Sequence, residues 1–181
     1  MVRRTRIIRS VRPTALIYCE GAHDLAFMRH LKRLYSSASA TKTNFSTTKG
    51  SGGSLDTLVA DALKVPGDFN RYLVKLDNDR TKDEFDKANS LAEQVNANGG
   101  YLTITASYPC LDALLLSILR PGQDYTRKKS KTCKREFERD YLAADKRLNS
   151  AAYDRIFARQ VLDEARKNIA ELDDLIRFLE A

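Results

Sequence analysis

Three short stretches set carboxylates directly behind apolar runs. "CEGAHD" (19–24) carries Glu20 and Asp24, "LDNDR" (76–80) carries Asp77 and Asp79 at i, i+2 with Arg80 beside them, and "SYPCLD" (107–112) carries Ser107 and Asp112. Carboxylates gathered in one place repel and raise one another's pKa, so a stable cluster favours a divalent cation. An all-oxygen set without Cys or His suits Mg²⁺ or Mn²⁺ rather than zinc. Such an ion holds phosphate oxygens, stabilises the charge of an in-line displacement and activates water. The candidate metal ligands are therefore Glu20, Asp24, Asp77, Asp79 and Asp112. For each, an acidic turn closing a core strand is the plainer alternative. What decides is whether the elements bring the three stretches together.

Those elements read as alternating strands and helices. "TALIYC" (14–19) is a near-continuous apolar run of the kind buried on both faces of a parallel sheet. A helix follows over 24–38, with Leu25, Met28, Leu31, Leu34 and Tyr35 on one face. The segment 42–54 turns from Thr-rich to Gly/Ser-rich, a strand and then a loop, and Ser54 caps a helix that runs to about 65. "RYLVKLD" (71–77) is the next strand, and the helix after it stops at Gly99-Gly100. "YLTITAS" (101–107) is a strand by β-branched content, and Pro109 opens an apolar helix. Beyond Pro121 two helical segments are expected, about 131–147 and 151–179. The second carries Tyr153, Phe157, Val161, Ala165, Ile169, Leu172, Ile176 and Leu179 at helical spacing. This alternation predicts an α/β fold in which a mostly parallel central sheet is flanked by helices, with a C-terminal helical extension. In such sheets ligands collect beyond the carboxyl ends of the strands, where the three acidic stretches fall.

Charge points the same way. The 181 residues carry a formal net charge of +7, which favours a polyanionic partner. The first twelve residues hold five arginines and no acid, and "RKKSKTCKR" (127–135) holds six bases and no acid. Arg80, Arg127, Lys128, Lys129 and Lys131 are the candidate phosphate contacts, against the alternative of a solvated face. Cys19, Cys110 and Cys133 lack CxxC spacing, which argues against a disulfide framework or a zinc site. His23 reads first as an exposed loop histidine and second as a proton shuttle. Lys75, alternating with apolar neighbours, reads as facing outward. "TKGSGGS" misses P-loop spacing and reads as a connector. No apolar run approaches the ~20 residues that span a bilayer, and the basic N-terminus lacks a signal-peptide core, so a cytoplasmic protein is expected.

"ALIYCEGAHD", followed some fifty residues later by "YLVKLDNDR", resembles the Toprim domain, whose marks are a strand-terminal Glu-Gly-x-x-Asp and a later strand-terminal Asp-x-Asp. Within that superfamily the chain is most similar to RloB-like proteins, which share the Cys-Glu-Gly strand end, a Gly-rich loop before a helix and a later Ser-Asn-Pro-x-Phe-Glu. "KGSGGSLDTLVADAL" fits the loop, and "SYPCLDALLLSIL" fits the last mark with Tyr108, Leu111 and Asp112 in place of Asn, Phe and Glu. Asp24 follows the general Toprim pattern, whereas RloB-like sequences more often carry Thr-Glu there. The resemblance covers roughly residues 14–120.

It implies a Toprim-like core over 14–120, preceded by a basic segment (1–13) and followed by a basic, helical extension (121–181). It implies Glu20, Asp77 and Asp79 as catalytic residues, with Glu20 a general acid/base or ligand and Asp77 the first of the Mg²⁺ ligands. Asp24 and Asp112 become accessory ligands or groups that support them. The implied activity is Mg²⁺-dependent cleavage of RNA or DNA within a bacterial anti-phage system, with an ATPase partner that docks on the C-terminal helix. The alternative is a non-catalytic Toprim-like subunit that binds nucleic acid or the ATPase. Oligomeric state is left open by the sequence, a homo-oligomer included.

Overall fold

In the strand 14–19, Ala15, Ile17 and Cys19 alternate with Leu16 and Tyr18, and every one of them is buried. Successive side chains of a strand point to opposite faces, so a strand buried throughout must be covered on both sides. The computed structural model, which describes residues 12–38, 42–77 and 82–181, places this strand, β1 (Thr14–Cys19), inside a four-stranded parallel sheet. Its partners are β2 (Asn44–Lys49), β3 (Arg71–Asp77) and β4 (Leu102–Ser107), in the order β2-β1-β3-β4. Asp79, Arg80 and residues 1–11 lie outside the described residues.

Two apolar clusters sandwich the sheet. One takes Leu16, Tyr18, Val74, Leu76 and Leu102 against the helices α2 (Leu55–Lys64) and α3 (Lys82–Ala97). The other takes Ala15, Ile17, Cys19 and Leu73 against α1 (Ala22–Tyr35), α4 (Leu111–Leu119) and the C-terminal helices. The architecture is α/β and consistent with a Rossmann-like fold. The chain runs β1-α1-β2 outward on one side of β1, then returns over the opposite face to build β3 and β4 on the other side. The strand order therefore reverses between β1 and β3, the crevice in which such folds bind ligands. Glu20 follows β1 and Asp77 ends β3, so both acids stand at that reversal.

The C-terminal part differs from the expected pair of helices. It forms α5 (Ser130–Asp140), α6 (Ser150–Ile156), α7 (Arg159–Ala165) and α8 (Ala170–Glu180). Breaks at Phe157-Ala158 and 166–169 divide the stretch read as one helix. Helical spacing of apolar residues survives these breaks, so periodicity alone missed them. The burial shows the change of phase: Leu162 is buried, while Val161, placed in the expected stripe, is 37% exposed. Tyr153, Phe157, Leu162, Leu172, Leu175, Ile176 and Leu179 all lie in the cluster shared with α1 and α4. Among the described residues, no helix is long and apolar enough to cross a membrane.

Candidate functional site at the strand carboxyl ends

Backbone pairing fixes where the acids stand. Cys19 is in register with Lys75, and the N–H of Glu20 donates to the Lys75 carbonyl at 3.0 Å. One residue further, the Asp77 N–H donates to Glu20 Oε2 at 3.1 Å. Asp77 Oδ1 in turn accepts from the Leu111 N–H at 2.8 Å. Leu111 is the first residue of α4, so the carboxylate of Asp77 serves one of the donors a helix N-terminus leaves unsatisfied. Pro109 does not open this helix; Cys110 occupies its N-cap position.

Asp24 projects from the first turn of α1 and is buried. Its Oδ1 has no hydrogen-bond partner and lies 3.8 Å from Lys75 Nζ. Burial, reinforced by the charges of Glu20 and Asp112, raises its pKa in spite of Lys75. Asp77 is pushed up to about 7, first by burial and then by Asp24. Both shifts come first from burial, with the neighbouring carboxylates adding to it and Lys75 opposing it.

Lys75 is the residue the sequence reading misplaced. It is fully buried, because the face of β3 opposite Val74 and Leu76 is covered by the α1 and C-terminal layer rather than by water. Its Nζ donates to the Leu76 carbonyl at 2.8 Å and to Ser107 Oγ at 2.6 Å, with Glu171 Oε1 3.6 Å away. Ser107 Oγ donates to Glu171 Oε1 at 2.5 Å. Burial opposes the ammonium charge, but Glu171, Asp24 and Asp77 outweigh it and raise the pKa. Glu171 comes from the first turn of α8, so the C-terminal extension supplies part of the site. Nothing local in "NIAELDDLIRF" marks Glu171 as anything but a helix-start acid; only the docking of α8 reveals it.

Asp112 faces a different neighbour. Its Oδ1 is bound by Arg147 Nη2, and His23 Nδ1 lies 3.9 Å away. His23 is no loop histidine: it sits in α1, packs near the rings of Phe137 and Tyr153, and leaves a buried Nε2 without a partner. Burial, with Arg147 and Lys134, lowers its pKa to about 3, so the ring is neutral at physiological pH. Of the expected ligands the fold thus brings Glu20, Asp24 and Asp77 to one crevice, with Asp112 at its flank under Arg147. Among the described residues no three acidic, His or Cys side chains form a metal cage by themselves. The donor chemistry still fits a hard cation: all oxygen, with the Asp24 Oδ1 accepting no hydrogen bond among the described residues.

The basic run borders this crevice. Cys110 Sγ approaches the Ser130 carbonyl at 4.0 Å, and the charge of Lys134 reaches Asp112 and His23. Arg127, Lys129 and Lys131 are exposed and carry no ion pair among the described residues. Lys128 is occupied, held by Glu136 at 2.9 Å over the Tyr125 ring. A cavity of about 1150 Å³ lies elsewhere, between the far end of α4, the 121–126 loop and α7, and takes in none of the acids of the crevice. No family model, curated protein or solved structure matches the chain.

Proposed function

We propose that the protein is a Toprim-type, Mg²⁺-dependent phosphodiesterase acting on nucleic acid. The observation that carries this reading is the meeting of Glu20, Asp24 and Asp77 at the β1/β3 reversal, where burial raises the carboxyl pKa of Asp24 and of Asp77. When bound there, Mg²⁺ supplies a grip on the scissile phosphate and a more acidic water. The residues of the chain do the rest. Asp77, fixed by the N-terminus of α4, presents its carboxylate at a constant height. Glu20, steered by the Asp77 N–H, takes a proton from the water that adds to phosphorus as the P–O ester bond breaks, and the departing oxygen takes a proton from solvent, leaving a phosphomonoester and a hydroxyl. Lys75 holds the network beneath them in place. Arg127, Lys129 and Lys131 draw the backbone towards the crevice.

The family resemblance supplies the remaining parts of the proposal: Asp79 as a further ligand, a partner ATPase, a role in anti-phage defence and a cytoplasmic location. A second reading, a non-catalytic subunit, is favoured by one observation: an internal ammonium, Lys75, already neutralises part of the charge a metal would meet. Incubation with labelled RNA, single-stranded DNA and duplex DNA in Mg²⁺, Mn²⁺ or EDTA separates the two. The enzyme predicts metal-dependent cleavage that falls by about 10²-fold or more in Glu20→Gln and in Asp77→Asn. Binding of nucleic acid unaffected by those substitutions, with no cleavage in any metal, supports the subunit instead.

A further inference from the structure

A second concave surface opens beside the acidic crevice and has the opposite sign. A groove of about 460 Å³ runs along α1, between the end of β2 and the segment that starts α6. Ala22 and Ala26 form a smooth floor, Arg29 and Arg33 rise from the next turns of the same face, Lys49 stands on one wall and Leu148 on the other. Positions 22, 26, 29 and 33 recur at helical spacing, so they face one way. From Ala22 to Arg33 the track covers about 16 Å of helix. Among the described residues no carboxylate lines it, and Asp154 reaches only its far end through Arg33 and His30. Arg29 makes one long contact, Nε to Thr47 Oγ1 at 3.4 Å, and Lys49 makes no ion pair among the described residues. Arg33 Nη2 is engaged by Asp154 and meets His30 Nδ1 at 3.1 Å, which leaves the rest of its donor fork.

The position of the groove is what gives it a purpose. Lys49 pairs in register with Cys19, the residue before Glu20, and Ala22 follows Gly21. The groove therefore begins where the acidic crevice ends, on the other side of β1. We infer that this groove carries the sugar-phosphate backbone of a nucleic-acid strand into the crevice, with Arg29, Arg33 and Lys49 on its phosphates and the exposed Leu148 against a sugar or base. The inference rests on the phosphodiesterase reading for its direction but is tested separately.

Binding of fluorescently labelled 20-nucleotide RNA and DNA is measured by anisotropy in EDTA over a salt series. Replacing Arg29 and Lys49 together by Gln is expected to weaken binding about tenfold and to flatten the salt slope by about one to two units. Ser150→Glu, which adds a carboxylate to the groove at a helix start where acids are tolerated, is expected to weaken binding as well. Lys64→Gln with Lys167→Gln, a loss of equal charge away from the groove, is expected to leave it unchanged. Wild-type binding by both groove variants, equal loss in the control pair, or a mononucleotide that binds as tightly as the oligonucleotide overturns the inference. If the groove variants lose binding while no protein cleaves in Mg²⁺ or Mn²⁺, the groove stands and the phosphodiesterase reading falls. If Asp77→Asn abolishes cleavage while Arg29→Gln/Lys49→Gln binds and cuts normally, the reverse holds.

Discussion

Lys75 shows what a strand pattern says and what it leaves out. Its alternation with Leu73, Val74 and Leu76 was legible, but alternation assigns a face and not its environment. Because the C-terminal layer covers that face, the ammonium lies in the interior, held by the Leu76 carbonyl, Ser107, Glu171 and Asp24. Removing one member of a buried charged network leaves the others uncompensated, at a cost of about 3–5 kcal/mol. Lys75→Met should lower the urea midpoint accordingly, and adding Glu171→Gln should recover part of the loss; strictly additive losses would show that the pair is not coupled. His30 offers a pH test at the same scale. Its Nε2 meets the Phe157 carbonyl at 2.8 Å, which asks that nitrogen to donate, while Nδ1 faces both Arg33 and Asp154. Burial lowers its pKa, the hydrogen bond to the Phe157 carbonyl opposes that and the Arg33 charge adds to it; burial dominates, so the pKa falls below the ordinary 6.5. The unfolded chain then takes up a proton at His30 more readily than the folded one. The stability this residue contributes is complete above about pH 6.5 and is lost as pH falls below it. The stability difference between wild type and His30→Gln should thus shrink by at most about 1 kcal/mol from pH 7.5 to 5.5; a difference that widens contradicts a neutral buried ring.

At the scale of elements, the four strands and the helices between them were legible because each carries its own signal: an apolar run, a cap, a Gly-Gly stop. The Glu-Gly strand end and the strand closing on Asp77 were legible for the same reason. The division of 151–179 into α6, α7 and α8 was not, since apolar spacing passes through both breaks unchanged. Nor was the part played by α8, which depends on where it docks. Arg71 donates to the Phe178 carbonyl at 2.8 Å and lies 4.4 Å from that ring, tying α8 to the start of β3, while Glu171 reaches Lys75 at the other end. An ATPase docked on the C-terminal segment would have to bind its outer surface, because the inner one is core. Deleting residues 168–181 removes Leu172, Leu175, Ile176, Phe178 and Leu179 from that core together with Glu171. The truncated chain should lose its cooperative thermal transition. A truncated protein that melts cooperatively near the full-length temperature would mean that α8 is an appendage.

For the whole molecule, the order β2-β1-β3-β4 brings Glu20 and Asp77 together from positions 57 residues apart. The sequence marked both acids, but only the reversal of strand order makes them neighbours, and only the covering layers raise the pKa of Asp77. The same topology sets the basic groove beside β2 and the basic run beside α4, so basic residues on two sides flank an acidic centre. The proposed cleavage would depend on a substrate and on any partner that gates it, whereas affinity for the proposed metal would be set by the crevice. The most direct measurement is therefore a titration of the purified full chain with Mn²⁺, following the free ion by electron paramagnetic resonance, beside Glu20→Gln and Asp77→Asn. A saturable site in the wild type, competed by Mg²⁺ and lost or weakened at least about tenfold in both variants, is the predicted result. No saturable binding in the wild type, or a site that both variants retain at full affinity, would contradict it.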